Sequence, residues 1–372
     1  MKGLVITMKR LGFGLMRLPL TDKNDPASID MPLLERMTDA FIERGFTYFD
    51  TAWMYCGFKS ENAAGAALVA RHPRESFTLA SKLHAEYFDT LAGRDEIFNK
   101  QREKTGVDYF DYYLLHDVNR NHIRVYDELN CFDWLVDKRE KGLARHIGFS
   151  FHDTPEMLDK LLTEHPEMEF VQLQLNYLDS DCESVQSRRC YETAVRHGKK
   201  VVVMEPVKGG TLARVPQSVE SLLRARDAAA SVPSWAIRFA ASRENVMMVL
   251  SGMSDMAQLL DNTATMSDFK PLDASELAML AKAAEMIRSH VSIQCTGCSY
   301  CTEGCPMGIP IPRCFELYNE AARGEKRRDD YRRLTEGAGR AGDCIGCGQC
   351  EGVCPQHLPV RELLKKTAAL FE

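Results

Sequence analysis

Near the C-terminus the chain reads Cys295-Thr-Gly-Cys298-Ser-Tyr-Cys301-Thr-Glu-Gly-Cys305-Pro306, and the pattern returns at Cys344-Ile-Gly-Cys347-Gly-Gln-Cys350-Glu-Gly-Val-Cys354-Pro355. Both runs are C-x2-C-x2-C-x3-C-P. Three thiolates two residues apart can wrap one four-iron cubane, while the fourth, followed by proline, points away and ligates the other. The expected metal ligands are therefore Cys295, Cys298, Cys301 and Cys354 for one [4Fe–4S] cluster. Cys344, Cys347, Cys350 and Cys305 serve the second. Zinc needs only paired C-x2-C units, and a disulfide framework belongs to short secreted chains. Neither explains a duplicated four-cysteine run.

The chain holds 372 residues and 13 cysteines, enough length for one large domain plus a small one. Eight thiols committed to clusters imply a reducing, cytoplasmic setting. A formal net charge of −6 gives no pull toward nucleic acid or anionic membrane. No run of 18 apolar residues offers a membrane span. Among the remaining cysteines, Cys56 stands beside a candidate site.

Ahead of the cysteine runs, short apolar segments alternate with amphipathic ones. Strands are expected within 11–18 and at 46–50, 77–82, 109–116, 144–150, 170–175, 200–205 and 246–251, with helical patterns such as 31–44, 123–141 and 182–197 between them. Strand–helix alternation over about 280 residues points to an α/β fold, a parallel sheet closed as a (β/α)8 TIM barrel. A doubly wound sheet is the rival, but no GxGxxG follows the first strand. The expected division is 1–285 for the barrel and 286–372 for a small, mostly α-helical domain. The stretch before Cys295, ASELAMLAKAAEMIRSHVSIQ, contains no Gly- or Pro-rich spacer, so it reads as a helix rather than a flexible tether.

Polar residues stand where the strands end. Asp50 closes one strand with Tyr55 in its loop, Lys82 closes the next, and His116 the next. In a barrel the C-terminal strand ends meet at one face, so the four can converge. The combination makes chemical sense. A tyrosine with an ordinary pKa of about 10 is a poor acid, and a nearby ammonium favours the phenolate. Asp50 would hold that ammonium, and His116 would bond a substrate oxygen or assist a proton relay. Trp53, Met54, His84 and Phe88 are candidates to line an adjoining pocket.

With these residues in place, the chain resembles an aldo-keto reductase over 11–262. The matching pieces are LGFGLMRLP (11–19), YFDTAWMYCGFKSE (48–61), ASKL (80–83), DYYLLHD (111–117), RHIGFS (145–150), VQLQLNY (171–177), MEPVKGG (204–210) and LSGMSDMAQLLDN (250–262). The resemblance implies that Tyr55 donates a proton to a carbonyl compound while NAD(P)H delivers hydride, that Lys82 and Asp50 tune it, and that His116 orients the carbonyl. For the cofactor it implies Ser150 and Gln172 at the nicotinamide amide, Met204 beneath the ring, and Ser251, Gly252, Met253, Gln258 and Asn262 along the phosphates and adenine. Gly209 and Gly210 suit close backbone approach to a phosphate, or an ordinary turn. The chain departs from the pattern in two places. Phe151 stands where an Asn is expected, and Met204 replaces an aromatic ring and offers no flat π-face. No Arg or Lys stands near Met253 or Ser254 in the sequence to pair a 2′-phosphate.

The tail resembles an alpha-helical ferredoxin, with helices expected in the insert between the cysteine runs and after Pro359. The basic run Lys326, Arg327, Arg328, Arg332 and Arg333 is interleaved with Asp329 and Asp330. It reads as a solvated helix face, or as docking for an acidic redox partner such as a ferredoxin or flavodoxin.

A nicotinamide moves electrons in pairs and a [4Fe–4S] cluster moves one, and a flavin is the usual intermediary. Three readings follow: a carbonyl reductase using NAD(P)H, a flavin-linked or ferredoxin-coupled redox enzyme, and a non-enzymatic electron-transfer or scaffold subunit.

Overall fold

A computed structural model describes residues 9–22, 25–290, 292–322 and 324–372. Eight parallel strands close into a barrel in sequence order. They are β1 (Leu11–Gly14), β2 (Tyr48–Asp50), β3 (Thr78–His84), β4 (Phe110–Val118), β5 (Ala144–Phe151), β6 (Phe170–Gln174), β7 (Lys200–Met204) and β8 (Val246–Gly252). The eight expected strands are all present. Two helical expectations are corrected. The 123–141 pattern breaks into Ile123–Glu128 and Cys131–Glu140, because Asn130 takes a left-handed conformation (φ 49°) that Asn tolerates better than most residues. The 182–197 pattern is helical only from Ser187 to Arg196, with Gln186 at φ 51° ahead of it.

The period of two along a strand explains the barrel interior. Tyr48, Ala80, Tyr112, Leu114, Phe170, Val202, Met248 and Leu250 form one buried cluster. Their same-face neighbours toward the C-terminal strand ends are Asp50, Lys82, His116, Gln172 and Met204. The lower barrel is thus plugged by apolar bulk, and a polar layer sits above it. Gly12 shows how full the plug is: a Cβ there would lie 2.7 Å from Leu250 and 2.9 Å from Tyr48. Outside the sheet, Phe13, Phe41, Phe46 and Phe49 pack ring against ring with centroids 5.3–6.0 Å apart.

The chain forms two compact units. The first comprises 1–176, 186–206 and 233–272, and holds the barrel strands. The second comprises 177–185, 207–232 and 273–372, and so takes in two barrel loops as well as the tail. The expected boundary at 285/286 falls within the helix Ala274–His290. The second unit has its own core, in which Ile309, Ile311, Phe315, Leu364 and Phe371 are buried and Tyr331 stacks on Phe371 at 4.7 Å. Its helices include Ile311–Ala322, Arg328–Leu334 and Val360–Phe371, as the sequence suggests. Among the described residues, no helix is long and apolar enough to cross a membrane.

Candidate active site and cluster sites

β2, β3 and β4 bring Asp50, Lys82 and His116 to one end of the barrel, and Tyr55 follows β2 in a buried turn. Lys82 Nζ donates to Asp50 Oδ1 at 2.5 Å and to the Thr51 carbonyl at 2.7 Å. It also lies 4.9 Å from the centroid of the Tyr55 ring. The Tyr55 and His116 rings meet edge to face at 5.8 Å. Burial acts against both charges of the ion pair, pushing Lys82 down and Asp50 up, and each partner opposes that drift in the other. His116 is pushed well below the ordinary histidine value by burial, then by His84 and Lys82, so its imidazole is neutral.

Several supporting residues escape a reading of motifs. Glu61 is fully buried beside β3; Ser81 and Gln101 both donate to its Oε1 at 2.7 Å, and Lys104 donates to Oε2 at 2.9 Å. Gln101 also donates to the Lys82 carbonyl at 2.9 Å, which fixes the strand carrying the ammonium. Glu61 and Ser81 belong to the motifs that carry Tyr55 and Lys82, but Gln101 and Lys104 lie on a helix, Leu91–Thr105, with no motif.

β4 is irregular past Leu115, and Asp117 takes a φ of 54°. Such a bulge re-aims side chains. It brings Asp117 within 3.4 Å of His122 Nδ1 and 3.8 Å of His84 Nε2, and the ligand atoms of all three lie within 4.8 Å of one another. Hydrogen bonding argues against a cation there. His84 Nδ1 accepts from the Glu86 amide at 3.2 Å, which places its proton on Nε2, facing Asp117. His122 Nδ1 lies 2.9 Å from the Asp117 carbonyl, which requires a proton on that nitrogen. Burial alone would lower the His122 pKa, but Asp117 and Glu86 outweigh it and raise it to about 10. The cluster is therefore an imidazolium held between carboxylates. Asp117 correspondingly stays well below the usual carboxylate range, since His152, His122 and His84 outweigh its burial.

Of the expected pocket residues, Met54 packs with Tyr55 and Ala52, joined by Met16 and Tyr87, and His84 lies 5.2 Å from His116. Trp53 turns to Phe58 and Lys104, and Phe88 to Tyr126. Cys56 is buried, and burial pushes its thiol up to about 11, which makes it inert at neutral pH.

The expected cofactor residues fall in separate places. Ser150 pairs with Gln172 across β5 and β6, and Gln174, beside it on the same face, pairs with Met204 across β6 and β7. The Ser150 hydroxyl accepts from the Asp117 amide at 2.7 Å, and Gln172 Nε2 meets Met204 Sδ at 3.6 Å. Gln172 Oε1 is buried with no partner among the described residues, which suits an amide donor such as that of a nicotinamide. Phe151 is buried in the β5 ladder. Asn262 donates to Ser251 Oγ at 3.0 Å, Met253 is buried, and Gln258 closes the turn by accepting from the Ser254 amide at 2.9 Å. A residue far away in the sequence also meets this turn through its backbone. Arg17, from the loop after β1, accepts at its carbonyl from Ser254 Oγ at 2.9 Å. Its side-chain carbons lie 3.1–3.3 Å from where a Gly252 Cβ would stand. Gly209 and Gly210 belong to the second unit, where Gly209 packs on Thr296 and Gly210 borders open space.

In the second unit the two cysteine runs fold alike. Gly297 and Ser299 in one, and Gly346 and Gly348 in the other, have φ between 66° and 81°, and each run then enters a short helix. These left-handed positions curl each run ahead of its short helix. Cys305, Cys344, Cys347 and Cys350 line one cavity with Ile309, Ile345 and Leu364, a set that draws its fourth thiol from the opposite run. Burial, then Cys298, Cys295 and Cys354, push the Cys301 thiol up. Thiols crowded in this way suit iron, whose positive charge offsets the mutual repulsion of the thiolates. The Gly297 amide donates to Cys295 Sγ at 3.4 Å, the kind of bond that tunes a cluster. The basic run is engaged with acids: Arg327 pairs with Glu320 at 2.8 Å and Arg333 with Asp330 at 2.5 Å. Arg328 donates to the Leu370 carbonyl at 3.0 Å.

A closed parallel barrel with Asp, Tyr, Lys and His gathered at one end defines an oxidoreductase of the aldo-keto reductase type. The chain belongs to the aldo/keto reductase family, whose sequence profile matches residues 10–285. A 4Fe-4S dicluster domain profile matches residues 294–358. An aldo-keto reductase of Mycolicibacterium smegmatis is 30% identical over 162 residues, 42% of this chain and 51% of that protein. Protein REDOX 2 of Catharanthus roseus is 27% identical over 170 residues, 39% of this chain and 50% of that protein. The chain thus spans about half the length of these curated relatives. An aldo-keto reductase of Bacillus halodurans (holo form) aligns with TM-score 0.58 at 24% identity, covering 74% of this chain and 91% of that one. One from Klebsiella pneumoniae in complex with NADPH gives 0.57 at 17%, covering 74% and 90%. At these identities the structural likeness shows the fold.

Proposed function

We propose that the barrel reduces an aldehyde or ketone with NAD(P)H, and that the second unit carries two [4Fe–4S] clusters for electron transfer. The observation that carries the first part is Lys82, fully buried, bonded to Asp50 and set over the face of Tyr55. A bound nicotinamide supplies the hydride that goes to the carbonyl carbon. Tyr55 gives its hydroxyl proton to the carbonyl oxygen, and the phenolate left behind is stabilised by the Lys82 ammonium. Asp50 and the Thr51 carbonyl keep that ammonium aimed. Neutral His116 can bond the substrate oxygen without competing as an acid. Ser150 and Gln172 would hold the nicotinamide amide. The pocket edge of Met16, Met54 and Tyr87 favours a partly apolar substrate.

Support for the two clusters comes from the crosswise thiol sets, Cys295, Cys298, Cys301 with Cys354, and Cys344, Cys347, Cys350 with Cys305. A soluble redox protein such as a ferredoxin or flavodoxin would exchange electrons with them. Met204, without a flat ring, favours keeping a flavin as the alternative carrier. The test is chemical: anaerobically purified protein should hold about eight iron and eight acid-labile sulfides per chain, and acid release should yield no flavin. Carbonyl-dependent oxidation of NADH or NADPH should vanish in Tyr55→Phe. Zinc without sulfide, or a released flavin, overturns the corresponding half.

A further inference from the structure

Within the second unit the turn Val207–Gly210 is held by both cysteine runs. Lys208 is fully buried, and its ammonium donates to Asp179 Oδ1 at 2.5 Å, to Asp179 Oδ2 at 2.6 Å and to Gln356 Oε1 at 2.8 Å. Those bonds use all three of its donors. Gln356 lies two residues past Cys354. The next residue, Gly209, has φ 61°, and a Cβ there would stand 2.0 Å from the carbonyl oxygen of Thr296, the residue after Cys295. Asp179, Gln356 and Thr296 are each at most 3% exposed. One turn therefore grips the chain beside Cys295 and beside Cys354, which come from different runs and belong to the same proposed cluster. The barrel chemistry uses none of these residues.

A buried lysine–aspartate pair is a weak source of stability, since desolvation offsets most of the attraction. Its placement suits a different task. We infer that Lys208 and Asp179 are positioning residues for the cluster of Cys295, Cys298, Cys301 and Cys354, and that their opposite charges set its reduction potential. The inference rests on the two-cluster reading. On reduction by dithionite the cluster gains one electron and one unit of negative charge. A buried cation nearby favours that change and a buried anion opposes it, in a medium where charges are poorly screened. Lys208 faces Asp179 and Gln356, and no other titratable group is bonded to it among the described residues.

The opposed signs provide the test. Redox titrations followed by electron paramagnetic resonance are run on anaerobically purified full-length wild type, Lys208→Met, Asp179→Asn and the double variant. Lys208→Met removes the buried cation and keeps the Asp179 carboxylate, and should lower one of the two midpoint potentials. Asp179→Asn leaves Lys208 unpaired and should raise the same one. Each shift should reach tenfold or more in the reduction equilibrium constant, about 59 mV for a one-electron couple. The double variant should return toward wild type, and the other midpoint should stay. Shifts of one sign in both single variants, or no shift with about eight irons bound, overturn the inference. If Lys208→Met loses its iron, Asp179→Asn alone decides by the sign of its shift. Wild type lacking clusters would instead refute the cluster reading itself.

Discussion

Lys82 Nζ lies 2.5 Å from Asp50 Oδ1 and 4.9 Å from the centre of the Tyr55 ring, so one buried ammonium serves a carboxylate and a phenol together. Asp50 supplies the opposite charge and, with the Thr51 carbonyl at 2.7 Å, the hydrogen bonding that a charge with no water needs. Tyr55→Phe keeps the ring and removes only the transferable proton. Its carbonyl reduction should fall about 10²–10⁴-fold, as for loss of a general acid, with cofactor affinity nearly unchanged by fluorescence titration. Near-normal turnover would mean that the barrel uses different chemistry.

Lys82→Met should fail in two separable ways. It strands the buried Asp50, which typically costs about 3–5 kcal/mol in unfolding free energy, and it deprives the phenolate of its counter-charge. Lys82→Met/Asp50→Asn removes the stranded charge and should recover much of the denaturant midpoint while activity stays lost. Recovery of both would show that Lys82 is structural only.

The barrel and its polar layer were legible because strand ends and period-two alternation are local signals. Asp50, Lys82 and His116 could be placed at one mouth by counting along three strands. The acid–histidine cluster was not legible, because it depends on the bulge after Leu115 and the positive φ of Asp117, and no local pattern announces either. The MEPVKGG segment shows the same difficulty. Its glycines suit a phosphate or an ordinary turn, and Lys208 and Gly209 contact Gln356 and Thr296, residues far away in the chain that no local pattern announces. Arg17 illustrates the same limit, since a search near Ser254 in the sequence cannot find a residue delivered from the loop after β1.

Arg17 offers a test of nucleotide preference. Its side chain lies along Gly252, in the segment that the family resemblance gives to the phosphates and adenine. A charge-assisted contact to a 2′-phosphate contributes on the order of 1.5–3 kcal/mol, or about tenfold or more in affinity. Arg17→Ala should therefore weaken NADPH binding about tenfold or more and leave NADH nearly untouched, as read by isothermal titration. Equal losses for both nucleotides would assign Arg17 to the shared pyrophosphate or to packing.

The cluster of His84, Asp117 and His122 gives the protein a predicted alkaline sensitivity. His122 is raised from 6.5 to about 10 in the folded chain, because Asp117 and Glu86 outweigh its burial. A group whose pKa rises on folding stabilises the protein fully below its unfolded value, and that contribution is lost as pH climbs through the folded value. The window therefore runs from about pH 6.5 to about pH 10. Denaturant midpoints of wild type and His122→Gln, measured in parallel, should differ most near pH 6 and converge above pH 10. The parallel variant cancels the lysines and tyrosines that titrate in the same range. A gap that stays constant from pH 6 to 10.5 would mean that His122 is neutral, and it would reopen the three side chains to a cation.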